Sequence, residues 1–71
     1  MIFELICGSI SLAQKIIGKL NEDFDLNCER ELDVLKFTFL RSQEIKWFRG
    51  ILRMLKLQYG YGVIEVREYW E

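Results

Sequence analysis

The chain has 71 residues, ten basic and eleven acidic, for a formal net charge of −1. That length holds one domain, and a charge so near zero exerts no long-range pull on nucleic acid or an anionic membrane, so charge-driven binding needs a local cluster. With 51% apolar and 14% aromatic residues, the chain can build a core and is not intrinsically disordered, although a domain this small has little surplus stability.

In chain order, Ile2–Cys7 is apolar apart from Glu4 and reads as a strand central to its sheet. Gly8-Ser9 turns the chain, and Ser11 with Gln14 has capping-box spacing. Ala13, Ile16, Ile17, Leu20 and Phe24 then recur with helical period and predict an amphipathic helix over about Leu12–Glu22. Asp25–Asn27 reads as a loop. Cys28–Leu40 is too long for one ordinary strand, so a hairpin broken at Leu32-Asp33 is expected, with Leu35, Phe37 and Phe39 on one face. The charged Glu29-Arg30-Glu31 segment suits an edge strand.

Ser42 is placed to cap a second helix, with Glu44 in its first turn. Ile45, Phe48, Ile51, Leu52, Leu55 and Tyr59 form its apolar set, and Gly60 falls where a helix end favours glycine. Val63–Trp70 is the last predicted strand, with Ile64, Val66 and Trp70 on one face and Val63, Glu65, Arg67 and Tyr69 on the other. The order β-α-β-β-α-β predicts an α+β two-layer sandwich. Its expected layout is ferredoxin-like, with four antiparallel strands and two helices on one face. A three-stranded β-α-β-α-β sandwich is the alternative.

The chain contains no histidine, which removes Ser-His and Cys-His nucleophile systems and the commonest metal ligand. No Walker loop, nucleophile elbow or dinucleotide fingerprint is present. Cys7 and Cys28 match no zinc or redox spacing and read as buried small residues. The acidic residues Glu22, Asp23, Glu29, Glu31 and Asp33 fit no calcium loop and read as solvated charges. Catalytic residues, metal ligands and cofactors are therefore not expected. Met1-Ile2-Phe3-Glu4 lacks the basic start of a signal peptide, and no run approaches the roughly 20 apolar residues of a membrane span. A cytoplasmic setting is the expectation.

Three faces could carry function. Lys46, Arg49, Arg53 and Lys56 form a basic stripe on the second helix, able to meet phosphates or an acidic protein surface. Trp47, Gly50, Met54 and Leu57 extend the apolar side of that helix past what one packing face needs, implying burial against the first helix or a partner. On the uncovered face of the sheet, Glu4 should lie between Lys36 and either Glu65 or Arg67, with Ile2, Ile6, Leu40, Val63, Tyr61 and Tyr69 around it.

Tyr59-Gly60-Tyr61-Gly62-Val63-Ile64-Glu65-Val66 is similar to the ribonucleoprotein octamer of RNA-recognition domains, and Ile2–Leu5 loosely to its shorter companion motif. In that family the octamer lies on the third strand and its aromatics stack on bases. Here it falls on the last strand, with aliphatic residues at the stacking positions, so no family membership follows.

The expected role is a small non-enzymatic protein–protein interaction or regulatory module, as a homodimer or an accessory subunit. Its partner-binding residues would be Trp47, Met54, Leu57, Tyr61 and Tyr69. The alternative is a nucleic-acid-binding protein using Lys46, Arg49, Arg53 and Lys56. A third possibility, an allosteric small-ligand domain, requires a pocket that a sequence does not display.

Overall fold

Ile2–Cys7 forms β1, with the bounds its apolar run predicts, and occupies the interior of a four-stranded sheet. The computed structural model describes residues 1–24, 26 and 28–70. Asp25 and Asn27, the bounds of the expected loop, lie outside the described residues. The chain continues through α1 (Ile10–Phe24), β2 (Glu29–Glu31), β3 (Val34–Thr38) and α2 (Ser42–Tyr59), then a 3₁₀ turn at Gly60–Gly62 and β4 (Val63–Tyr69).

The strands lie in the order β2-β3-β1-β4, every neighbouring pair antiparallel. One apolar cluster joins Phe3, Leu5 and Cys7 of β1 and Leu35 and Phe37 of β3 to Ala13, Ile16 and Leu20 of α1 and the buried side of α2. Both helices therefore cover one face. This is the α+β, ferredoxin-like arrangement, and the three-stranded alternative is excluded because the Cys28–Leu40 region does fold back as β2 and β3.

Phe48 of α2 is the hub of the core. Its ring centroid lies 5.0 Å from Phe3, 4.6 Å from Phe37 and 4.7 Å from Phe39. These distances fall within the favourable range for aromatic pairs, so one side chain ties α2 to β1, β3 and the segment after it.

Several local expectations need correction. The first helix begins at Ile10, and Ser9, not Ser11, caps it: the Leu12 amide donates to Ser9 Oγ at 3.1 Å. The Gly8 amide is drawn onto the Gly62 carbonyl at 2.7 Å, so the chain leaves β1 at once and Ser9 takes the capping position, with Leu12 at N3. Ser42 is likewise the first helical residue of α2. Arg41 precedes it in extended conformation without a side-chain cap bond. Gly60 performs as predicted, with φ 54 and its amide turned back to the Lys56 carbonyl.

The β2–β3 hairpin turns at Leu32-Asp33, where Leu32 has φ 55. Within this turn the positive φ lies at the first central position, the sign pattern of a II′ turn, which ordinarily takes glycine there. β4 carries the other correction. Cys7 pairs with Val63 but Ile6 pairs with Glu65, so a bulge makes Ile64 the extra residue. Val63 consequently turns into the core, and Ile64, expected inside, is 66% exposed. Trp70 lies past the end of β4 and is exposed. Tyr61 sits in the 3₁₀ turn instead of on the open sheet face, and Leu40 lies beyond β3.

Among the described residues, no helix is long and apolar enough to cross a membrane.

Candidate interaction surface

The cationic residues Lys46, Arg49, Arg53 and Lys56 are all exposed, and their stripe lies along the side of α2 next to β4. Arg49 fixes that orientation. Its Nε donates to Glu68 Oε1 at 3.3 Å and its Nη2 to Glu68 Oε2 at 3.2 Å, a forked contact between helix and strand. Glu68 is opposite Phe3 in the sheet register, so it stands on the core-facing side of β4 but beyond the reach of the core. Sequence reading missed this residue. Its two-residue offset from Val66 was the available signal.

The bridge divides a groove between α2 and β4. On one side Leu52, Arg53 and Lys56 face Val66 and Glu68 across a depression of about 240 Å³. On the other, Lys46 and Ile45 meet Met1, Leu40 and Trp70 around a hollow of about 460 Å³. The exposed Leu40 and Trp70 side chains thus come together at one end of the groove, where sequence reading had not joined them.

The predicted apolar patch is distributed over different surroundings. Trp47 packs edge-on against Phe24 of α1, with centroids 5.9 Å apart and planes at 81°. Met54 packs against the core cluster. Both therefore contribute to contacts within the chain, although Trp47 stays half exposed. Leu57 and Tyr61, by contrast, are almost fully exposed. Tyr69 lies on the open sheet face opposite Ile2.

That open face carries a charged row across all four strands. Glu29 pairs with Lys36, Lys36 with Glu4, and Glu4 with Arg67. Signs alternate along the row, as the sequence led one to expect, and cross-strand neighbours of opposite sign are favourable. Arg67 also donates to Glu65 at 3.3 Å, which raises its pKa above the ordinary guanidinium value. Ile2 is almost fully covered within this face, so the row leaves little contiguous apolar surface there.

Cys7 is buried and Cys28 half-buried, and both are free thiols. Burial raises both pKa values, and the charge of Asp33 adds to the effect at Cys7. Neither environment favours the nucleophilic thiolate. Among the described residues, no group of three Cys, Asp or Glu side chains is placed to hold a metal ion, and every buried side chain is apolar.

Comparison with known proteins finds no matching family model, no matching curated protein and no matching solved structure.

Proposed function

We propose that the chain is a small non-enzymatic module that works by binding another protein, as an accessory subunit or as a homodimer, on its α2–β4 side. The observation that carries this reading is the end of the groove, where Leu40 and Trp70 stand in water beside the depression they line. Scattered exposed apolar residues are normal on small proteins. Two large ones lining one concave site are the kind of feature that a partner covers, and tryptophan is favoured at interface centres. Two free, partly or fully buried thiols support a reducing, cytoplasmic setting.

The nucleic-acid reading receives less support. Arg49 is engaged by Glu68, and the groove floor beside Arg53 and Lys56 carries that carboxylate. A phosphate backbone would meet the ridge through Lys46, Arg53 and Lys56 alone.

Light scattering over a concentration series tests the proposal. A homodimer doubles the 8.5 kDa mass, and Leu40→Ser with Trp70→Ala returns it to monomer without loss of circular dichroism. A monomer at every concentration leaves the accessory subunit. If Trp70 fluorescence, read in a Trp47→Phe variant, then also resists acrylamide quenching in the lone chain, its ring is already covered and the reading fails.

A further inference from the structure

We propose that the outer edge of β4 accepts an acidic, extended peptide as a fifth strand, seated beside the basic ridge of α2. This rests on the interaction reading and narrows it to one partner chemistry.

β4 is a terminal strand of the sheet, paired with β1 alone among the described strands. It has seven residues, against three for β2 at the other edge. An edge of that length is a template for strand addition, in which main-chain hydrogen bonds supply affinity and flanking side chains supply specificity. The bulge at Ile64 interrupts the first part, so the regular edge offered to a partner runs from Glu65 to Glu68.

The specificity comes from α2. The Arg49–Glu68 bridge shows that cations of this ridge reach down to β4. Among the described residues, Lys46, Arg53 and Lys56 have no ion pair. At 1.5 Å rise per residue, Lys46 to Lys56 spans roughly 15 Å. Side chains on one face of a strand repeat at about 6.7 Å, so three acidic residues at alternate positions cover roughly 13 Å. The two spacings match along parallel lines. Glu68 already occupies Arg49 in this geometry, so the acids of the incoming strand meet Lys46, Arg53 and Lys56.

A second copy of the chain does not fit this edge. Antiparallel pairing of two β4 strands about a twofold axis keeps both helices on the same face. Their ridges would then lie side by side, and Lys46, Arg53 and Lys56 of each copy would bring six cations without an ion pair among the described residues to close range. An acidic partner reverses the sign of that interaction.

The test uses a peptide of alternating glutamate and threonine, followed by Trp70 fluorescence in a Trp47→Phe variant and by amide protection in β4. A lysine–threonine peptide, an N-methylated version of the acidic peptide and a single-stranded oligonucleotide serve as controls. The acidic peptide is expected to bind and to protect amides between Glu65 and Glu68, while the lysine and N-methylated peptides fail. Arg53→Glu with Lys56→Glu should weaken binding about tenfold or more, and circular dichroism verifies that this variant is folded. No binding by the acidic peptide overturns the proposal, as does equal binding by its N-methylated form or by the charge-reversed variant. Oligonucleotide binding with a steep salt slope and no peptide binding assigns the ridge to nucleic acid instead. If the peptide fails while dimerisation still depends on Leu40 and Trp70, this inference falls alone. If both fail, the interaction reading falls with it.

Discussion

At one edge of the sheet β2 offers three residues, Glu29, Arg30 and Glu31, all charged and exposed. At the other, β4 runs for seven residues, with a bulge near its start and the basic side of α2 beside it. Both edges face the hazard of pairing with stray strands. β2 answers by being too short and too charged to serve as a template. β4 carries Glu65, Arg67 and Glu68 of its own but is more than twice as long, and its further guard, the basic side of α2, is held on another element and leaves the strand itself able to pair. The contrast teaches that the same charges that turn away most strands can select one of opposite sign.

The largest expected effect comes from loosening α2. Phe48 anchors α2 to β1 and β3, and Phe48→Ala should cost about 3–5 kcal/mol. For a domain of this size that is most of the total stability. A urea titration reads it directly, and a loss below about 1 kcal/mol would mean that α2 is held over β4 by something other than this ring.

A smaller effect sharpens the β2 side. Leu32 holds a positive φ in the hairpin turn while its side chain is 67% exposed. Leu32→Gly removes backbone strain at little packing cost, so stability should rise by about 0.5–1 kcal/mol. Thermal unfolding would register this as a gain of a few degrees. A decrease would show that the leucine contributes more by contact than it loses in conformation.

The smallest effect concerns the bridge across the groove. Arg49 and Glu68 are both more than a third exposed, so a double-mutant cycle of Arg49→Ala and Glu68→Ala should give a coupling below about 0.5 kcal/mol. A coupling well above 1 kcal/mol would make the bridge a lock on the groove and remove the contrast between the two edges.

Most of the architecture was legible because its patterns were local and redundant. The apolar run of Ile2–Cys7, the spacing of Ala13, Ile16 and Leu20, and the set from Ile45 to Leu55 each point to one element and one buried face. Val63-Ile64 was not legible. Two adjacent aliphatic residues fit either phase of a strand, and the bulge that decides between them exists only in the pairing with Ile6 and Cys7. The caps failed for a similar reason. Ser9 and Ser11 are equally good hydroxyls, and the Gly8–Gly62 hydrogen bond chooses between them from far along the chain. At the candidate site, the basic stripe was visible, but its aim toward β4 depended on Glu68, which alternation alone does not relate to Arg49. Leu40 and Trp70 are thirty positions apart and meet only once the sheet is closed.

The place of β1 between β3 and β4 also governs how the chain can assemble as it is made. Ile2 needs Thr38 on one side and Tyr69 on the other. At ordinary rates of synthesis the second neighbour leaves the ribosome on the order of a few seconds after the first. Through that interval Leu5 and Cys7 have one flank without a strand, and closing so long a loop carries a larger entropic cost than forming a local hairpin. The nascent chain therefore passes through a stage in which another strand could take the vacant berth, and prompt arrival of Val63–Tyr69 is what ends it.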